Sequence, residues 1–252
     1  MKLYKLKTYF VLFILLSCKA LTAQSLTENI RLNQLGYLHA NKIAVVVGNI
    51  SANDFYIITA DKKDTAYKGQ LSEPKQSTNS SFTTRIADFS ALQNEGSYIM
   101  YVPHPGYSYQ FKIANDVHHS VSVAALKGFY YQRVSMPLEE KYAGKWARPA
   151  GHPDTEVFIH PSAPTTHRHA GAKISCPGGW YDAGDYNKYI VNSGIAMGTL
   201  LSAYEDFSSY FDTFKTNIPE SNDKVSDILN ETIYNLRWML TMQDPNDGGV
   251  LS

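Results

Sequence analysis

The sequence predicts a multi-domain chain of β + α type. A small antiparallel β-sandwich is expected over 28–114, followed by a helical region over 117–252. Two observations carry this reading. Short runs rich in Val, Ile, Tyr, Phe and Thr recur between turn clusters up to about residue 114, which is the pattern of half-buried strands. After Asn115 the apolar residues switch to helical spacing.

The N-terminus reads as an export leader. Lys2, Lys5 and Lys7 form a positive region ahead of an apolar stretch over 9–17. That stretch is too short to span a bilayer, which needs about 20 helical residues. Leu21-Thr22-Ala23 fits a cleavage site, so 1–23 is expected to be a signal peptide and the protein secreted or periplasmic. Leu15-Leu16-Ser17-Cys18 also fits a lipobox, and the alternative is an outer-membrane lipoprotein held through Cys18. No transmembrane segment is expected. Losing Lys2, Lys5, Lys7 and Lys19 takes the 23 basic residues to 19 against 23 acidic ones, a net of −4. With no basic excess, no nucleic-acid partner is expected. Charged residues are 18% of the chain, below the usual value of about 25%, which excludes a mainly disordered polyelectrolyte.

In the first region the expected strands cover 42–47, 55–59, 82–86, 97–102 and 108–113. Gly48-Asn49, Asp61-Lys62-Lys63-Asp64, Asn94-Glu95-Gly96 and Pro103-His104-Pro105-Gly106 supply the turns between them. In the second region a helix is expected over 117–134 with Asp116 as its cap, a second over 187–207, and a third over 224–242 capped by Asp223 or Asn222. Residues 135–180 hold six prolines and read as one long irregular loop. Loops longer than about 12–15 residues are usually functional or disordered. Within it, Trp146 is expected to pack into the interior. Cys176 is the one cysteine left after the leader, so no internal disulfide is possible, and it reads as a semi-buried small side chain.

The chemistry concentrates in Gly178-Gly179-Trp180-Tyr181-Asp182-Ala183-Gly184-Asp185-Tyr186-Asn187-Lys188. Asp182 and Asp185, with only Ala and Gly between them, can face one volume. A carboxylate that activates water needs a partner to hold that water in line. Trp180, Tyr181 and Tyr186 offer flat faces of the kind that pack on pyranose rings. Plainer readings compete: Asp185 as a helix cap, Asp182 in an Asx-turn, or a calcium loop, although the EF-hand pattern of alternating acids ahead of a Gly is missing.

The run Trp180 to Tyr189 strongly resembles the aspartate motif of glycoside hydrolase family 9, a family of many cellulases. The segments 125–133, 237–244 and 247–250 are similar to other parts of its catalytic domain. Residues 29–37 resemble the opening of the immunoglobulin-like module that often precedes it. The resemblance implies an immunoglobulin-like sandwich and the first helices of an (α/α)6 barrel. It implies an inverting endo-acting β-1,4-glucan hydrolase with Asp185 as general base and Asp182 helping to hold the water, and a β-glucan as the partner of a monomeric enzyme. No cofactor is required. Calcium is a possible ligand of the whole enzyme. Some relatives hold zinc through cysteines and histidines, but Val134 stands where they have Cys, so no metal is assigned among His152, His160, His167, His169 and Cys176.

The family's general acid is a Glu near the far end of the catalytic domain. Glu205, Glu220 and Glu231 lie in no matching context, and residues 117–252 are too few for a barrel of twelve helices. The chain is therefore expected to be the N-terminal part of a longer enzyme and inactive by itself. The competing class is a non-catalytic secreted carbohydrate-binding protein using the surface of Trp180, Tyr181 and Tyr186.

Overall fold

Residue alternation decides the first unit. A computed structural model describes residues 25–251, so the predicted signal peptide over 1–23 and Cys18 lie outside the described residues. The described chain divides into two compact units after His118.

Nine strands build the first unit: β1 (Ile30–Arg31), β2 (Ile43–Val47), β3 (Asp54–Thr59), β4 (Thr65–Gln70), β5 (Lys75–Gln76), β6 (Thr83–Asp88), β7 (Gly96–Val102), β8 (Gly106–Tyr107) and β9 (Phe111–Ile113). One sheet runs β1-β2-β6-β5, the other β4-β3-β7-β8 with β9 also on β7. The named strands pair antiparallel, for example Val45 opposite Ile86 and Ile57 opposite Met100, while the isolated bridges Leu26–Tyr107 and Tyr37–Ile113 are parallel. Inward residues at every second position make one core: Ala44 and Val46, Phe55 and Ile57, Tyr98, Met100 and Val102, Phe111 and Ile113.

The structure adds strands that the sequence reading left out. β4 reads Thr-Ala-Tyr-Lys-Gly-Gln and is largely exposed at a sheet edge, with a register shift opposite Ile57 and Ile58. Its polarity hides it from a periodicity argument. The expected strand over 108–113 is broken instead. Ser108 stays tied to β7 through its hydroxyl, which accepts from the Met100 N–H at 2.9 Å and donates to the Tyr109 carbonyl at 2.7 Å.

The second unit holds α1 (His119–Tyr131), α2 (Glu140–Ala143) with a 3-10 turn (Gly144–Trp146), the hairpin β10 (Val157–Phe158) with β11 (Lys173–Ile174), α3 (Ile190–Asp206), α4 (Ser208–Phe211) and α5 (Asp227–Thr241). The region over 135–180 is thus partly ordered into short elements. Each long helix is shorter than expected, and the predicted caps do other work. The Asp116 carboxylate accepts from Lys112 Nζ at 3.1 Å, and α1 starts at His119. Ser226 takes the N-cap position of α5, while Asp223 accepts from the Val225 N–H. Trp146 is 62% exposed beside Lys145, so it is not a packing residue. Leu126, Phe214 and Ile228 form one buried cluster, and Tyr130, Leu138, Ala143 and Ile218 a second.

Arg85 on β6 is buried. Its guanidinium donates to the carbonyls of Ser72 at 2.6 Å and Ala52 at 2.6 Å, and to Asn53 Oδ1 at 3.2 Å. Those acceptors lie in the connections flanking β3 and β4, so one planar fork holds them against the other sheet. Arg85→Met is expected to destabilise this unit by roughly 3 kcal/mol, because buried carbonyls lose their donor. Denaturant unfolding followed by tyrosine fluorescence measures it, and a loss below about 0.5 kcal/mol contradicts the assignment.

Candidate active site

The aspartate segment is anchored before it becomes a loop. Arg133 and Trp180 form an antiparallel bridge. Val134 N–H donates to the Gly179 carbonyl and Tyr181 N–H to the Gln132 carbonyl, both at 2.9 Å. Gly179 sits at φ +81°, and a Cβ there would lie 2.7 Å from the Trp238 ring. Only glycine allows the strand to lie so close to α5. Trp180 is buried, packs on Phe129 at 4.8 Å between ring centroids, and its backbone N–H donates to Asn235 Oδ1 at 3.1 Å.

The bridge partner, Arg133, is fully buried and grips two carboxylates. Its Nη1 and Nη2 lie 2.9 and 3.0 Å from the oxygens of Glu220. Its Nε and Nη2 lie 3.2 and 3.0 Å from those of Glu231, itself fully buried on α5. The Tyr234 ring covers the guanidinium at 4.4 Å, and Arg148 donates to the Arg133 carbonyl at 2.7 Å. Burial pushes the Glu231 carboxyl up to about 7, against the opposing pull of Arg133. Nothing in the sequence pairs Arg133 with a residue so far along the chain, and this cluster was missed there.

Beyond the anchor the chain turns out into solvent. Asp182 N–H donates to the Asn187 carbonyl at 2.9 Å, closing a loop over 182–187. Tyr186 sits within it at φ +61°. Asp182 and Asp185 are both exposed, and each is held by different partners. Asn192, in the first turn of α3, donates to Asp182 Oδ1 at 2.9 Å. Asp185 accepts from the Asn187 backbone N–H at 3.1 Å, the Asn187 side chain at 3.1 Å and the Tyr189 hydroxyl at 3.1 Å. These donors, the Asn187 N–H foremost, hold the Asp185 carboxyl below the usual range. The helix-cap reading of Asp185 is corrected, since α3 starts at Ile190 with Tyr189 at its N-cap. Asp185 makes an Asx-type turn, its Oδ1 accepting from the N–H two residues on.

The two carboxylates line separate cavities. Asp185 and Tyr186 border one of roughly 450 Å3 with His152, Asp154, Phe158 and Trp238. Asp182 borders one of roughly 190 Å3 with Trp180, Tyr181 and Phe129. The expectation that both face one volume is corrected by the opposite tethers, Asn192 for one and Asn187 with Tyr189 for the other.

Of the three aromatics, Tyr186 is 59% exposed while Trp180 and Tyr181 are buried. Tyr181, Tyr186 and His152 form a cluster. His152 Nδ1 meets the Tyr181 hydroxyl at 2.6 Å, and the His152 ring stacks on Tyr186 at 5.1 Å. His160 Nδ1 is engaged by the Ser162 hydroxyl at 2.8 Å. Burial pushes the Cys176 thiol up, and a metal requires the thiolate. Among the described residues no group of three or more His, Cys, Asp or Glu is placed to hold a metal ion. No helix of the described residues is long and apolar enough to cross a membrane.

The profile of glycosyl hydrolase family 9 matches residues 119–252, and that of the cellulase N-terminal ig-like domain matches 25–106. A xyloglucan-specific endo-beta-1,4-glucanase of Bacteroides ovatus is 47% identical over 98% of this chain and 42% of that protein. Endoglucanase D of Acetivibrio thermocellus is 33% identical over 90% of this chain and 36% of that protein. A solved Bacteroides ovatus GH9 structure superimposes with a TM-score of 0.84 at 48% identity, covering 90% of this chain and 41% of that one. The chain thus spans less than half the length of these relatives.

Glu231 yields a test with a definite sign. Its folded pKa of about 7 lies above the ordinary 4.5. Its contribution to stability is therefore fully present below pH 4.5 and lost as pH rises through about 7. The melting temperature is expected to fall across that interval by more in the wild type than in Glu231→Gln. Equal slopes in thermal melts from about pH 4.5 to 7.5 would contradict the assignment.

Proposed function

Since the chain belongs to glycosyl hydrolase family 9, we propose that its protein hydrolyses β-1,4-linked glucans with inversion, using Asp185 as general base. The observation that carries this is the state of Asp185. It is an exposed carboxylate, kept ionised by three donors, at the edge of a cavity walled by aromatic rings. A base must be deprotonated at working pH and within reach of water, and Asp185 meets both conditions.

In the proposed reaction a water gives one proton to Asp185 while its oxygen attacks the anomeric carbon from the face opposite the leaving group. The glycosidic C–O bond breaks, and a carboxylic acid on the far side protonates the departing oxygen. Glu220 and Glu231 do not serve as that acid, since both are bound to Arg133. Asp182, which lines the neighbouring cavity, takes the lesser role of shaping the loop beside the base. Tyr186 supplies the exposed ring for a sugar face. Trp180 and Tyr181 support the loop from inside.

The relative that is 47% identical acts on xyloglucan, and this supports xyloglucan as the substrate ahead of unbranched cellulose. Residues 1–23 are proposed to direct export, with lipidation at Cys18 as the alternative.

The test is reducing-sugar release by the full-length protein from xyloglucan and from cellulose, with the anomer of the fresh product read by NMR. Release of the α-anomer is expected, with xyloglucan the better substrate. Asp185→Asn should lower kcat by about 10²- to 10⁴-fold. Binding without any release would favour the carbohydrate-binding alternative. Full activity in Asp185→Asn would remove the base assignment.

A further inference from the structure

Lys188 follows the aspartate loop directly, and its side chain is almost fully enclosed, with 8% exposure. The ammonium has three donors and meets three acceptors: Asp154 Oδ2 at 2.6 Å, the Cys176 carbonyl at 2.9 Å and the Gly178 carbonyl at 3.0 Å. The Trp238 ring lies 5.2 Å away on a further side. All three acceptors precede the loop in sequence, two of them within six residues of it, and Lys188 follows it, so one ammonium closes the neck of the segment that carries Asp182 and Asp185.

The flanking residues give this closure a chemical consequence. Residues 187–189 are non-helical, and Tyr189 is extended at φ −120°, ψ 121°. Successive side chains on an extended strand point to opposite faces. Asn187 and Tyr189 reach Asp185, while Lys188 between them reaches the buried acceptors. Fixing Lys188 therefore fixes the donors that hold the Asp185 carboxylate.

We infer that Lys188, with Asp154 as its counter-ion, is a positioning residue that sets the orientation and proton affinity of Asp185 through Asn187 and Tyr189. The inference rests on the reading of Asp185 as the base. In this role the Lys188–Asp154 pair acts on Asp185 through the loop.

The experiment compares wild type, Lys188→Met, Lys188→Arg and Asp154→Asn in the full-length protein. Hydrolysis of xyloglucan is followed across pH, and amide exchange over 182–187 by mass spectrometry. In Lys188→Met, kcat is expected to fall by about tenfold or more with KM within about twofold, since a displaced base weakens the reaction more than binding. The acid limb of the kcat/KM profile should move to higher pH, because the donors that hold Asp185 ionised are loosened. Exchange over 182–187 should quicken. Lys188→Arg should recover part of each effect, and Asp154→Asn should move the limb in the same direction by less. A folded Lys188→Met with wild-type kcat and an unmoved acid limb would overturn the inference. If Lys188→Met does not fold, Asp154→Asn decides: a moved limb supports the inference and an unmoved one overturns it. A wild type that hydrolyses no β-1,4-glucan overturns the functional reading. In that case exchange in Lys188→Met decides whether the lysine holds the loop, with faster exchange supporting it and unchanged exchange excluding it.

Discussion

One guanidinium sets the geometry on which the aspartate loop depends. Arg133 is buried and neutralises Glu231 from α5 and Glu220 from the connection before it. A buried cation with fewer acceptors would be costly, and so would the buried Glu231 carboxylate without it, whereas Glu220 is only half-buried. The segment carrying Arg133 is also the one that bridges to Trp180, so the charge cluster ties the start of the aspartate loop to the helix behind it. The fork suits this task because its planar donors grip Glu220 bidentately while also reaching Glu231. Gly179 completes the arrangement by letting the bridged strand lie on Trp238.

From that anchor outward, burial is graded. Trp180 and Tyr181 are buried, while Tyr186, Asp182 and Asp185 stand in solvent on the loop closed by the Asp182–Asn187 hydrogen bond. A carboxylate proposed to act as a base, as Asp185 is, benefits from this order. It must reach a ligand, yet its orientation must be settled before the ligand arrives. Tyr186 turns through a left-handed conformation that a bulky residue rarely adopts, and its stacking on His152 offsets that cost.

Much of the fold was legible in the sequence where local chemistry decides the outcome. The strands over 42–47, 55–59 and 97–102 lie within a residue or two of β2, β3 and β7, because alternation and turn residues agree there. β4 escaped because an exposed edge strand needs no apolar face. The start of α5 was placed too early because Asp223 is a good cap in isolation, whereas the Val225 N–H claims its carboxylate and Ser226 takes the N-cap position. At the site, the residue types and their spacing pointed to Asp182 and Asp185. Burial of Trp180 and the division of the two carboxylates between cavities depend on Phe129, Asn235 and Asn192, which no local pattern links to the motif. The clamp on Arg133 was illegible for the same reason, since its partners lie some 87 and 98 residues away.

The most direct test of the central claim is a double-mutant cycle on Arg133→Met and Glu231→Leu, with stability measured by denaturant unfolding at about pH 8, where Glu231 is ionised. If Arg133 holds the site through this pair, each single variant is strongly destabilised and the double variant is less so than the sum, with a coupling of about 2 kcal/mol or more. A coupling below about 0.5 kcal/mol would mean that the two groups contribute independently and that the anchor of the aspartate loop lies elsewhere.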